Sequence, residues 1–155
     1  MTESIKALHN EWRYSRAIVL SFLENVNEEN LRKKFPRKNY NTILEQCNEL
    51  YEIQQDYIDA IENKTMQFMG RNLHLDSAED LIKELKKLDE KLEKYVESLS
   101  GREVVNWFGE EKNIHQHLCA MISHEMMHVG QMVAFCYTVE IDIPEYIVDE
   151  MSLEG

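Results

Sequence analysis

The sequence predicts an all-α protein, a four-helix bundle formed by a single domain over residues 1–155. The chain has 155 residues, 43% of them hydrophobic, which is enough for one sizeable buried core. It contains only two prolines and five glycines, so long stretches hold nothing that interrupts a helix. Within those stretches, apolar residues recur at three- to four-residue spacing in four segments of about 20 residues or more. Helices of that length pack well as a bundle.

The first long helix is expected over Ser4–Val26. Its apolar residues, among them Trp12, Ile18 and Phe22, follow the mixed three- and four-residue spacing of an amphipathic helix. A polar turn comes next, and the chain up to Pro36 is expected to form one short helix and a connector.

Capping signals mark the next two long helices. Thr42-x-x-Glu45 has the form of a capping box, so the second helix should begin near Thr42 and end at Asn63-Lys64. The third helix should begin at Asp76-Ser77-Ala78-Glu79 and stop at Ser100-Gly101.

The fourth long helix is expected from Ile114 to Thr138, after a loop over residues 101–113 with at most a short strand pair. Apolar residues surround most of its circumference, which is typical of a central bundle helix. The tail beyond Pro144 carries Glu145 and Glu150 and shows no obvious helix.

Charge and composition exclude several classes of protein. The formal net charge of −12 argues against nucleic-acid binding, and the nearest basic cluster, Arg32–Lys34 with Arg37-Lys38, lies in the connector. No run approaches the roughly 18 apolar residues of a membrane span, and the N-terminus lacks the pattern of a signal peptide. A cytoplasmic protein without a membrane partner is therefore expected. The cysteines, Cys47, Cys119 and Cys136, show no C-x-x-C spacing and are expected to be small core residues.

The fourth helix also carries the candidate metal ligands, His124 and His128. Histidines at i and i+4 project from one helix face, so both can reach one ion. The segment also reads as H-E-x-x-H, the zinc-protease motif with Glu125 as general base. That interpretation is the weaker alternative. The extended protease motif requires Gly and His where this sequence has Gln131 and Ala134. The possible third ligands downstream, Glu145 and Glu150, lie in the tail beyond Pro144. A ferritin-like di-iron site fails because Glu-x-x-His occurs only once among the helices.

The segment from His124 to Met132, with its Gly130-Gln131 pair, resembles the signature of the DinB/YfiT-like superfamily: H-x-x-x-H followed by Gly-Gln in the last long helix. Residues Asn41–Leu50 resemble that family's second-helix segment, and Ile141–Pro144 resemble the exit that follows the last helix. The resemblance covers essentially the whole chain. It implies a metal-binding four-helix bundle of the DinB type.

The resemblance further implies which residues bind the ion. The family's third ligand is usually a histidine of the second helix, and the matching position here is Glu49. Glu49, His124 and His128 would form a competent ligand set for Zn²⁺, Ni²⁺ or a similar divalent ion. Two alternatives stay open: Gln46 faces the site instead, or no third protein ligand exists. Three further residues, His117, Gln46 and Gln131, are candidates to line the pocket or to surround the ligands. For His117 the simplest interpretation is a purely structural role.

The function implied by the resemblance is that of a metal-dependent enzyme, a thiol-dependent transferase or a hydrolase acting on a small molecule. The substrate or co-substrate would include a low-molecular-weight thiol, and no catalytic residue is assigned. The alternative is a non-catalytic, metal-stabilised dimeric bundle. A homodimer is expected from the resemblance together with the apolar circumference of the fourth helix.

Overall fold

The computed structural model describes residues 2–154, and in that range it contains six helices and three short strands. The helices are α1 (Glu3–Asn25), α2 (Glu28–Leu31), α3 (Ile43–Asn63), α4 (Ala78–Ser98), α5 (Ile114–Val139) and α6 (Glu145–Met151); the strands are β1 (Thr65–Met66), β2 (Val104–Trp107) and β3 (Glu110–Asn113). The four long helices form the bundle, with α5 packed on α1 and α3, and α4 packed on the same two helices. The all-α prediction is confirmed.

The helix starts follow from their caps. The Thr42 hydroxyl accepts a hydrogen bond from the Glu45 backbone N–H at 3.0 Å, which fixes the start of α3 where the sequence predicted it. The Glu45 carboxylate accepts from the Asn41 N–H at 2.7 Å rather than from Thr42, so the predicted capping box is shifted by one residue. A reciprocal capping box does begin α5, between Asn113 and Gln116, and was not predicted.

The sheet and the last helix depart from the sequence predictions. The predicted strand pair is present as the antiparallel hairpin β2–β3, but β1 adds a third strand that pairs in parallel with β2. The tail is also helical, contrary to prediction. Helix α6 follows Pro144, whose fixed φ suits a helix start, and Ile147 anchors it by complete burial in the core.

Two apolar clusters fill the bundle, one around Phe22 and Leu50 and the other around Trp12 and Ile58. The helices α1 and α5 pass from the second cluster to the first, whereas α3 and α4 pass from the first to the second. Because α3 and α4 are parallel, the chain must return along the bundle between them. Residues 67–77 make that return beside α3.

A polar layer separates the two clusters. Each long helix contributes one residue to it: Arg16 from α1, Gln54 from α3, Asp89 from α4 and Glu125 from α5. All but Asp89 are buried. Charged residues in the interior need partners, so this layer fixes how the helices face one another.

The structure also tests the expectations about the cysteines and about a membrane span. Cys47 and Cys136 are buried as expected, but Cys119 is exposed on α5, so its assignment to the core was wrong. None of the helices within residues 2–154 combines the length and the apolar character of a membrane span.

Candidate metal centre

The packing of α3 against α5 brings Glu49, His124 and His128 together. The Glu49 carboxylate lies with Oε2 2.6 Å from His128 Nε2 and with Oε1 3.5 Å from His124 Nε2. One ligand atom from each residue lies within 4.8 Å of the other two. Ligand atoms bound at about 2.0–2.2 Å from one tetrahedral ion lie about 3.3–3.6 Å apart. The Glu49–His124 distance matches this separation, whereas the Glu49–His128 distance is that of a hydrogen bond and would lengthen around an ion. The three residues are therefore able to hold a divalent ion.

Hydrogen bonding fixes which nitrogen of His128 faces Glu49. The Gln46 amide nitrogen donates to the Tyr40 carbonyl at 2.7 Å, which leaves its amide oxygen to accept from Nδ1–H of His128. In the neutral imidazole, the lone pair on Nε2 of His128 then points towards the Glu49 carboxylate. Two electron-rich atoms at that distance need a proton or a cation between them, and a divalent cation suits this pair together with His124.

The chemistry of Glu49 fits the same conclusion. Oε2 is a buried carboxylate oxygen, and no hydrogen bond of acceptable geometry reaches it. Burial by itself would raise the pKa of Glu49, but hydrogen bonds from His124 and His128 and the positive charge of their protonated imidazoles lower that pKa to about 2. A divalent ion in place of those protons would also favour the ionised carboxylate. Glu49 is therefore an ionised carboxylate at neutral pH, as a metal ligand must be.

Gln46 and Gln131 surround the three residues. Gln131 Oε1 accepts from the Gln46 amide at 3.5 Å and also from the Arg37 guanidinium. Gln46 is completely buried and contacts His128 through Nδ1, the nitrogen that does not face Glu49. The geometry thus favours Glu49 over Gln46 as the third ligand, and it gives Gln46 the task of orienting His128.

His117 lies outside this group. Its Nδ1 accepts from the Trp107 indole N–H at 3.0 Å, and its Nε2 donates to the Tyr57 carbonyl at 2.9 Å. Burial lowers the pKa of His117 to about 4, although the hydrogen bond to Tyr57 opposes that effect. Both nitrogens of a neutral, buried ring are therefore used to join α5 to α3 and the hairpin, which favours the structural role.

Glu125 points away from the two histidines. Its Oε2 lies 3.2 Å from Nη2 of Arg16, and both side chains are buried. Glu125 therefore contacts another helix and does not face solvent. Because Arg16 pairs with it at a distance from the candidate ligands, Glu125 is not placed to act as the base of an H-E-x-x-H protease.

The charged part of the polar layer was missed by sequence reasoning. Arg16 Nε also lies 3.3 Å from Asp89 Oδ1, so one guanidinium serves two carboxylates. Burial raises the pKa of Asp89 to about 6, against the lowering effect of Arg16 and with the help of Glu125. The signal in the sequence was Arg16 itself, four residues after Trp12 on the apolar face of α1.

A cavity of about 430 Å³ opens beside Glu49. Its floor is the polar stripe of α3, formed by Glu45, Asn48, Glu49 and Glu52. Its walls are residues 38–40 and residues 72–74, the second wall being part of the return segment beside α3. The cavity gives a small molecule access to the side of the candidate metal centre that Glu49 occupies.

The fold and this group of ligands together define a class: a four-helix bundle with a candidate site for a divalent metal. The sequence matches the family profile of the DinB superfamily over residues 11–132, a range that includes Glu49, His124 and His128. The chain therefore belongs to the DinB superfamily. No curated protein sequence matches it.

Proposed function

We propose that the chain binds one divalent ion through Glu49, His124 and His128 and acts on a small molecule as a thiol-dependent transferase or a hydrolase. The observation that carries the proposal is the half-buried Glu49 carboxylate, whose two oxygens lie 2.6 Å from Nε2 of His128 and 3.5 Å from Nε2 of His124. A structural ion pair would need protonated imidazoles, whereas a divalent ion would bind the carboxylate together with two neutral imidazoles.

The proposal assigns roles to the ion and to the residues around it. A divalent ion with three protein ligands supplies a Lewis acid that lowers the pKa of a thiol or a water in its open position. Gln46 holds His128 in the tautomer whose Nε2 is free to bind the ion. The buried Tyr57 ring packs beside His124, with the two ring centroids 6.1 Å apart.

The ligand assignment is tested by removing the charge of Glu49. Glu49→Gln keeps the shape of the side chain but supplies a neutral oxygen, so the affinity for Zn²⁺ should fall by about tenfold or more. Glu11→Gln makes the same change at an exposed position of α1 and should bind Zn²⁺ like the parent. Titration calorimetry measures both, and equal affinity of the three proteins would contradict the assignment.

The chemistry is tested with Co²⁺, whose spectrum reports its ligands. Adding 2-mercaptoethanol to the Co²⁺-loaded protein at neutral pH should produce a thiolate-to-metal charge-transfer band. A chelator should remove the band. If no thiol gives the band, and the metal-loaded protein accelerates the hydrolysis of no ester or amide in a panel of small substrates, the enzyme proposal fails and the non-catalytic dimeric bundle remains.

The homodimer is proposed through the outer face of α5. The exposed residues of that face are small or apolar and recur at helical spacing: Cys119, Ser123, Met127, Gly130, Ala134 and Tyr137. Among residues 2–154, no atom outside the adjoining turns of α5 lies within 4 Å of where a Cβ of Gly130 would be. A glycine within a helix lowers stability by about 0.5–1 kcal/mol relative to alanine. A glycine at this position would allow a second helix to approach closely, which an alanine or a larger residue would hinder.

Sedimentation equilibrium tests the dimer. The parent should sediment at twice 18.4 kDa in the micromolar range, and Gly130→Leu should dissociate it because the larger side chain separates the two helices. A monomeric parent at those concentrations, or a Gly130→Leu variant that is still dimeric, would contradict the proposed interface.

A further inference from the structure

We propose that the cavity beside Glu49 selects a small molecule carrying a carboxylate or phosphate group, and that Lys38 with the basic segment Arg32–Lys38 provides this selectivity. This inference rests on the proposed metal-dependent function and names the class of its substrate.

The charge distribution along the chain is uneven. Residues Arg32–Lys38 hold five of the 17 basic residues, and no acidic residue lies between Glu29 and Glu45. Since the net charge is −12, the remainder of the chain carries −12 − 5 = −17. The basic segment is thus a local region of positive charge on an otherwise acidic protein, and such regions attract anions over distances of about a Debye length.

The structure places this segment at the candidate site. Lys38 lines the cavity, and Arg37 donates to Gln131, which contacts the Gln46 amide beside His128. Lys33 donates to the Val139 carbonyl at the C-terminal end of α5, and Arg32 pairs with Glu28 at 3.4 Å. Within residues 2–154, no ion pair joins Lys33, Arg37 or Lys38 to a carboxylate.

The acidic residues of the cavity are held in place by hydrogen bonds from backbone N–H groups, which orient the Glu45 and Glu52 carboxylates without removing their charge. The Glu45 carboxylate accepts from the Asn41 N–H at 2.7 Å, and the Glu52 carboxylate accepts from the Asn72 N–H at 3.2 Å. These bonds hold the two walls of the cavity against its floor. Glu49 faces the two histidines, and a divalent ion there would more than compensate its charge.

The ammonium group of Lys38 is available to bind an anionic group of a ligand. Of the cavity-lining residues that the structure describes, Lys38 is the only lysine or arginine, and its ammonium group makes no hydrogen bond or ion pair. His74, on the opposite wall, already pairs with Asp76 at 3.2 Å. A substrate whose reactive group reaches the ion beside Glu49 and whose tail carries a negative charge would satisfy both ends of the cavity.

Three thiols with the same two-carbon spacer and tails of different charge test the proposal: 3-mercaptopropionate, 2-mercaptoethanol and 2-mercaptoethylamine. Because the tail also changes the pKa of the thiol, each thiol is compared between the parent and the charge variants below. Their dissociation constants for the Co²⁺-loaded protein are read from the charge-transfer band at low ionic strength. The anionic thiol should bind about threefold to tenfold more tightly than the neutral one, the cationic thiol should bind least, and ionic strength of about 0.5 M should remove the differences.

Lys38→Glu should reverse the order, so that the anionic thiol binds more weakly than the neutral one. Lys83→Glu makes the same change of charge at an exposed position of α4 outside the cavity and should keep the parental order. Binding of Co²⁺ is recorded before any thiol is added, so a failure to bind Co²⁺ overturns the proposed function itself. Equal affinity for the three thiols, a Lys38→Glu variant that behaves like Lys83→Glu, or no thiol binding at all would overturn the selectivity while leaving metal binding intact.

Discussion

Asp89 is predicted to destabilise the protein at neutral pH, although it lies 3.3 Å from Arg16. Burial raises the pKa of Asp89 to about 6, and the charge of Glu125, which shares the same guanidinium, adds to that rise. The folded protein therefore holds the Asp89 proton more tightly than the unfolded chain, in which an aspartate titrates near 3.9. The tighter binding of this proton stabilises the folded protein most at acid pH. The stabilisation decreases as the pH rises from about 4 to about 6, and it is absent at higher pH.

The magnitude follows from the two pKa values. A difference between about 3.9 and about 6 corresponds to at most about 3 kcal/mol at pH 8. Asp89→Asn keeps the shape of the side chain and removes its charge, leaving Arg16 to pair with Glu125 alone. We therefore expect the free energy of unfolding at pH 8 to increase by about 1–3 kcal/mol, and the fall in stability between about pH 4 and pH 6 to become smaller.

Urea unfolding followed by circular dichroism at several pH values measures this effect. Glu90→Gln, at the next and exposed position of α4, is the matched control and should change the stability by less than about 0.5 kcal/mol. A loss of more than about 1 kcal/mol in Asp89→Asn at pH 8 would refute the reasoning, because it would mean that Arg16 needs both carboxylates.

Three further predictions concern the candidate ligands and the return segment. Glu49→His should retain Zn²⁺ at least as well as the parent in titration calorimetry, since imidazole is a good zinc ligand. Gln46→Leu should weaken Zn²⁺ binding by about 10–100-fold in the same assay, because His128 loses the partner that fixes its tautomer. Arg71→Ala should remove the guanidinium that lies 3.0 Å from the buried Asp56 carboxylate, which keeps only the hydrogen bond from the Met69 N–H, and should lower the free energy of unfolding by about 1–3 kcal/mol. Limited proteolysis should then cut residues 67–77 faster than in the parent.

The long helices were predictable because their signals are local. The cap residues Thr42 and Ser77 and the apolar spacing between caps are read within a few residues of each other, and the observed ends agree to within one or two positions. The strand β1 has only two residues and pairs with β2 about 40 residues later, so no local pattern reports it. Helix α6 was missed for a related reason, since seven residues show too little periodicity.

The candidate site was predictable in part. The spacing of His124 and His128 was visible on one helix, whereas Glu49 entered only through the family resemblance, because its proximity depends on how α3 packs on α5. The partners of Arg16 could not be predicted, since they come from two other helices and charged residues are rarely buried. The hydrogen bond between Gln46 and His128 likewise depends on two side-chain conformations that the sequence does not specify.

The metal content of the protein tests the central claim most directly. The chain is purified without a histidine tag, loaded with Zn²⁺, freed of excess metal and weighed by native mass spectrometry. One Zn²⁺ per chain is predicted for the parent. The variant His124→Ala/His128→Ala should hold none while keeping its helical circular dichroism, since the apolar clusters do not depend on the ion. A parent that retains no metal, or a double variant that retains one ion per chain, would contradict the assignment of the site.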